Sequence, residues 1–432
     1  MIHPLFLLFA TLTLTLALGI PISFALILSS LLVIWHADLP LTVAVQQMFH
    51  GINSFTLLAL PFFFLAGGVM NLGGISERLV TLAMAMVGHL RGGLAHVNVV
   101  VGMLLSGVSG SSTADAAALG SIFHPAMVKR GYDERFSVCL TACTATMGVV
   151  IPPSILMVVY GATVGVSIGA LLIGGILPGV LMGLALMVQS HFFAVKYNFP
   201  REHPEFLGFC AIWQGIKDAA WPLGVPLIII VGMVGGVFTP TESASIAAVY
   251  ALFLVLFVFR SMRWRDLPSV FADNAIQFAQ VLFCVCGACL FGWVLAFYQV
   301  PEMVTAFILS FTNNWIVVML LIVLVNLFLG TFLDALPAIL IFAPIIHPVA
   351  LGVGIHPVHL GVAVVMNQAF GLLTPPLGLV AMTSCAVAGV PMTKIQGLLH
   401  IMMIPLLFVV ILCSLVPDTV LLLPKLLVPK WL

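Results

Sequence analysis

Charge is what this sequence has least of. Asp, Glu, Lys and Arg make up 6% of its 432 residues, against about 25% in a soluble globular domain. A chain so poor in charge cannot coat itself with a hydrated surface, so its solvent is lipid. The fourteen basic and fourteen acidic residues cancel, which excludes a nucleic-acid partner held through its phosphates. The Gly-Lys-Ser/Thr phosphate loop of an ATPase is missing. So are a basic voltage-sensing helix and a channel-type carbonyl filter. The energy source is then most simply an ion gradient, in which one cation moving inward is worth about 2.3 kcal/mol per 100 mV. The twelve histidines show no zinc-type pairing with carboxylates, and no cofactor or enzyme is expected. Three of the eight cysteines, Cys284, Cys286 and Cys289, invite a metal reading. Their neighbours Val281, Leu282, Phe283 and Leu290 are apolar, with no His or carboxylate close by, and packing explains them better.

What fills the chain instead is hydrocarbon: 62% of residues are hydrophobic and the mean hydropathy is +1.26. Apolar runs extend over Pro4 to Trp35, Leu90 to Leu105, Ala170 to Gln189, Pro222 to Phe238, Ala244 to Phe259, Ile316 to Phe332 and Ile401 to Leu415. A membrane helix takes roughly 20 such residues, leaving room for on the order of ten to fourteen crossings or half-crossings. Barrel strands would alternate over segments of about 10 residues, and nothing here alternates. The expected fold is an all-α polytopic membrane protein. Met1, His3 and Pro4 precede the first run without a basic region or a cleavage site, so a retained first helix is expected rather than a signal peptide.

The chain also repeats itself. At one fixed offset of 223 residues, Gly107 meets Gly330, His124-Pro125 meets His347-Pro348, and Gly131 meets Gly354. Gly148 then meets Gly371, and Pro152-Pro153 meets Pro375-Pro376. Glycine and proline fix unusual backbone geometry, so their recurrence says more than matched leucines would. After the first of these segments come Lys129, Arg130 and Arg135; the equivalent stretch Gly352 to His359 has no Lys or Arg. Cytoplasmic loops collect basic residues, so the two halves read as an inverted repeat, as in many secondary transporters. Residues 1–195 form the first repeat, 196–221 a connecting segment and 222–432 the second. The Arg260, Arg263, Arg265 cluster marks a cytoplasmic loop, and Lys196 and Arg201 another.

Two features recur in each half. The first is a small-residue segment, Ser106 to Asp115 and its weaker counterpart Gly330 to Asp334. Irregular backbone at membrane depth is tolerated only beside protein or a watery cavity. These segments are therefore expected to turn back as re-entrant hairpins, near 106–123 and 328–346. The second feature is Gly-x-x-x-Pro-Pro, at Gly148 to Pro153 and Gly371 to Pro376, expected to break helices near 137–165 and 360–388. Tandem prolines remove donors and leave carbonyls without intrahelical partners, either as a simple kink or as cation ligands. Asp115 and Asp334 each admit two readings, a functional intramembrane carboxylate or a helix cap at a hairpin tip. Glu242, in Thr239-Pro240-Thr241-Glu242, reads as a cap.

At these residues the chain resembles the large membrane subunit, the DctM type, of the tripartite ATP-independent periplasmic (TRAP) transporters. The resemblance runs end to end. It is carried by Gly107-Val108-Ser109-Gly110-Ser111-Ser112-Thr113-Ala114-Asp115, Pro152-Pro153-Ser154 and Val159-Tyr160-Gly161, continued by Ser167-Ile168-Gly169 and Pro178-Gly179. Further matches are Met70-Asn71-Leu72-Gly73-Gly74-Ile75, Thr239-Pro240-Thr241-Glu242, Gly330-Thr331-Phe332-Leu333-Asp334 and Thr374-Pro375-Pro376. It implies an elevator mechanism in a bacterial inner membrane, with Na+ as coupling ion. It also implies a small four-helix membrane subunit and a periplasmic binding protein that delivers an organic acid. Carried over, the first sodium site is Ser106, Ser109, Gly148, Ile151 and Pro152; the second is Gly330, Gly371, Thr374 and Leu377. Substrate is expected between the hairpin tips, at Ser111, Ser112, Thr113 and Asp334. The competing reading is a stand-alone ion-coupled dicarboxylate carrier or sodium/proton antiporter of the same superfamily.

Overall fold

The computed structural model describes residues 3–72, 75–203, 205 and 207–431; Gly73 and Gly74 of the matched segment lie outside them. The described residues form helices and turns and no strand. Six helices are long and apolar enough to cross a bilayer, or seven counting a bent pair, Thr42–Ile52 with Phe55–Met70. Two of them flank the site, Gly208–Val234 packing on Gly93–Ser109 and Trp264–Phe297 on Ala335–Gly352. The first apolar run is not one span. Gly19 (φ +78°) and Pro21 split it into Pro4–Ala17 and Ile22–His36, which pack on each other. Residues 208–221, expected in the connecting segment, already belong to the helix Gly208–Val234, because the stretch around Ile212 and Trp213 is apolar enough to continue it.

Ten helices build the site. They are α1 (Gly93–Ser109), α2 (Ser112–Lys129), α3 (Glu134–Ala145), α4 (Ile155–Val164), α5 (Ile168–Lys196), α6 (Trp315–Gly330), α7 (Ala335–Gly352), α8 (Pro357–Gly371), α9 (Leu379–Ala388) and α10 (Met392–Leu415). The pairs α1–α2 and α6–α7 are helical hairpins whose tips fall where the small-residue segments are. Their arms are longer than expected, since the apolar residues upstream of each tip continue the helix. The pairs α3–α4 and α8–α9 are the two broken helices, split at Pro152-Pro153 and Pro375-Pro376, both cis.

The packing exchanges partners between halves: α2 lies on α9, and α7 lies on α4. The long helix α10 shows their relative direction. Near its start, Cys139 of α3 reaches the carbonyl of Ile395 at 3.6 Å; near its end, Nε2 of His359 of α8 lies 2.9 Å from the carbonyl of Cys413. At 1.5 Å per residue these contacts are about 27 Å apart. The repeat-related helices α3 and α8 therefore start from opposite ends of the same helix.

One end of the molecule is basic. Arg130 pairs with Glu202 at 3.0 Å, and backbone bonds from Gly92 to Pro200 and from Glu202 to Gly88 tie three loops together there. Away from this end the surface is apolar, with Phe192, Ile404 and Phe408 each more than 60% exposed, a surface suited to acyl chains.

Candidate functional site

At the first tip, α1 ends at Ser109, Gly110 (φ +65°) turns the chain, and Ser111 caps α2 by accepting from the Ala114 amide at 3.5 Å. A β-carbon on Gly110 would stand 2.8 Å from the Pro153 carbonyl oxygen, so only glycine lets the tip sit against the break. The cap at this tip is thus Ser111, and Asp115 is free for another role. Asp115 lies one turn into α2, fully buried. Its Oδ2 is 3.4 Å from Ser106 Oγ, which also lies 2.6 Å from the Gly102 carbonyl. A hydroxyl has one proton to give, and Ser106 gives it to the nearer oxygen. Oδ1 has no hydrogen-bond partner among the described residues. A buried carboxylate left this way is costly unless paired. Gly148 faces it across the break, where a β-carbon would run into Oδ2.

The break itself is a 3-10 turn, Thr146–Val149, followed by the proline pair. Ser154 ties its far side: its hydroxyl donates to the Val149 carbonyl and accepts from the Met157 amide, so it also caps α4. Among the described residues no donor reaches the carbonyls of Ile151 or Pro152. Main-chain oxygens without a donor are hard ligands of the kind that suit a small cation.

The second tip is tighter and less polar. Gly330 and Gly371 pack backbone on backbone. Asp334 caps α7, its Oδ1 accepting from the Ala335 amide at 2.8 Å, so the capping reading holds for this aspartate. The Leu377 amide donates to the Thr331 carbonyl at 3.4 Å, and Thr374 Oγ1 donates to the Phe370 carbonyl at 3.2 Å. The carbonyls of Thr374 and Leu377 receive no donor among the described residues. Two residues that the sequence reading passed over stand beside this tip: Gln368 Nε2 donates to Asn326 Oδ1 at 3.0 Å, both side chains buried, with Gln368 Oε1 unpartnered. Their signal was present, as amides inside otherwise apolar runs: Asn326 alone in one, and Gln368 next to Asn367 in the other. Glu242 is a cap as expected, forming a reciprocal capping box with Thr239.

Between the tips lies a cavity of about 190 Å³. Ser111, Ser112 and Thr113 line it from the first hairpin and Asp334 from the second, with Gly110, Ile155, Leu156, Ala335 and Leu379 among the rest. The four residues assigned to substrate from the sequence thus face one space. The first turns of α2, α4, α7 and α9 all open onto it. A helix N-terminus carries roughly +0.5 elementary charge, so four amount to about +2. Among the described residues no Lys, Arg or His lines the cavity, and Asp334 is the one charged residue that does. The arrangement can hold an anion on backbone dipoles and hydroxyls alone.

Comparison with known proteins gives the family. The chain is 40% identical over 434 aligned positions to YgiK of Salmonella typhimurium, covering 99% of both chains. It is 39% identical to the sialic acid TRAP transporter large permease protein SiaM of Vibrio cholerae, covering 94% of this chain and 95% of that one. Among solved structures, the Alcanivorax borkumensis YdaH transporter superposes with a TM-score of 0.54 at 16% identity, over 88% of this chain and 87% of the other, which shows a shared fold. The model of the tripartite ATP-independent periplasmic transporter DctM component matches residues 9–421. The chain belongs to that family: it is a multi-pass membrane protein, the large permease component of a bacterial TRAP transporter.

Proposed function

We propose that this chain is the sodium-driven importing subunit for a small organic acid of the carboxylate or dicarboxylate class, delivered by a periplasmic binding protein. The observation that carries this reading is the cavity at the two hairpin tips, where four helix N-termini meet without a basic residue. Such a site favours an anion by dipoles that are fixed before the cargo arrives. Unpartnered carbonyls of Ile151 and Pro152 on one side, and of Thr374 and Leu377 on the other, are oxygen donors of the kind that sodium takes. In this reading Ser106, Ser109 and Gly148 complete the first cation site, and Gly330 and Gly371 the second. Asp115 supplies the first with its negative charge. The hairpins are re-entrant, and with the broken helices they move as one body against the flanking spans, exposing the cavity to each side of the inner membrane in turn.

A tripartite system assigns two further parts, a small four-helix membrane subunit and the periplasmic binding protein. Reconstitution with both partners, under an imposed sodium gradient and with a panel of organic acids, tests the proposal. Uptake of at least one acid is expected only with sodium outside, and Ser109→Ala and Thr374→Ala are expected to raise the sodium concentration needed for half-maximal rate. Sodium-independent uptake, or unchanged sodium dependence in both variants, overturns it. Full uptake by this chain alone favours the stand-alone carrier.

A further inference from the structure

A second hollow, of about 320 Å³, opens at the basic end between the start of α3, the end of α5 and the start of α10. Its floor is aromatic: Phe136 lies 5.4 Å from Phe193 and 5.2 Å from Phe199, ring centre to ring centre, and Tyr197 stacks on Phe193 at 5.8 Å. Its rim carries Arg135, Asp133 and Lys394. Arg135 grips Asp133 through Nε and Nη2, the shorter bond being 2.7 Å, which neutralises the one acidic residue among those that line the hollow; Glu134, between the two, is exposed but is not among the lining residues. Those bonds hold the Asp133 carboxyl below its ordinary range, so the pair stays ionised, and Nη1 of Arg135 makes none of them. Lys394 is exposed and has no ion-pair partner among the described residues. Lys196 adds a further positive charge, its Nζ 5.5 Å from the Tyr197 ring centre. The rim therefore has an excess of positive charge around an opening too polar for acyl chains alone.

The hollow does not end at the rim. Gly397, Leu398 and Ile401 of α10 form its wall, and the exposed residues Ile401, Ile404 and Phe408 continue the wall along one face of that helix. On the neighbouring α5, Val188 and Phe192 are also exposed, and Gln189 donates to the Ile401 carbonyl at 2.8 Å, tying the two helices together beneath the strip. A charged mouth continuous with an apolar track matches a molecule with an anionic head and a hydrocarbon tail.

We propose that this hollow seats an anionic phospholipid of the cytoplasmic leaflet, its phosphate between Lys394 and Arg135 and one acyl chain along Ile401, Ile404 and Phe408. Basic pockets between helices on the cytoplasmic side recognise such headgroups. A free phosphate would meet the same cations but leave the apolar track unused. The proposal does not depend on the transport reading.

The test uses the purified full chain in mixed micelles and follows its melting temperature on titration with phosphatidylglycerol, phosphatidylcholine or inorganic phosphate. Phosphatidylglycerol is expected to raise the melting temperature, with little effect from the other two. Lys394→Gln should weaken the phosphatidylglycerol response about fivefold, while Lys394→Arg should keep it. Because Lys394 is exposed and unpaired, neither change threatens folding. Equal stabilisation by the two lipids, an equal response to inorganic phosphate, or an unaltered Lys394→Gln overturns the proposal.

Discussion

Gly330 and Gly371 touch through their backbones: a β-carbon built on Gly371 would stand 2.6 Å from the Gly330 α-carbon, and one built on Gly330 would stand 2.8 Å from that of Gly371. This contact joins the second hairpin to the second broken helix, and neither partner has a flexible side chain that could yield. Gly371→Ala is expected to destabilise the protein by about 1–3 kcal/mol through overpacking, read as a lowered melting temperature. It should also displace the Thr374 carbonyl and raise the sodium needed for half-maximal uptake. A variant that melts and transports like the parent would show that the two glycines separate in the working protein.

Asp115→Asn keeps the shape of a buried side chain and removes its charge. With Ser106 3.4 Å from the carboxylate and Gly148 against it, the change should leave folding nearly intact and weaken sodium activation on the order of tenfold, the scale of one charge-assisted contact. Sodium titration of the uptake rate measures it. Unchanged activation would remove Asp115 from the first cation site.

Lys129→Cys and His356→Cys test the inverted relation directly. The helices following these two residues start from opposite ends of α10, so a membrane-impermeant maleimide should label position 129 from the cytoplasm and position 356 from the periplasm. Labelling of both from one side would make the symmetry fictitious.

Thr239→Ala removes a cap and nothing from the proposed machinery. Thr239 and Glu242 bond reciprocally at the start of Pro240–Val258, so the loss should be about 1 kcal/mol of stability with uptake unaltered. A thermal melt and a transport assay on the same preparation separate the two.

The tips and breaks were legible because their residues constrain the backbone. Gly110 with a left-handed turn, the two proline pairs and the serines around them can serve few structures, and helices end or break at these residues. Leucines carried no such information. The apolar run from Pro4 read as continuous until Gly19 and Pro21 divided it, and the connecting segment read too long because residues 208–221 mix charge with apolar residues along one helix. Asn326 and Gln368 were passed over for a different reason. Asn326 is a lone amide in its apolar run and Gln368 follows Asn367 in another, and only folding brings the two to 3.0 Å. Asp334 caps α7 and also lines the cavity.

The cavity without a lysine or arginine has one more result. In the proposed cycle a bound organic anion gives the moving body a charge that no residue of the cavity cancels, and a charge at mid-bilayer costs at least about 2.5 kcal/mol. Asp115 and Asp334 add two further negative charges to that body, so one sodium ion in each break would leave it near neutral before cargo binds. Cargo without sodium would leave the anion and both carboxylates unbalanced, so that form would be the slowest to move and the anion would not cross alone.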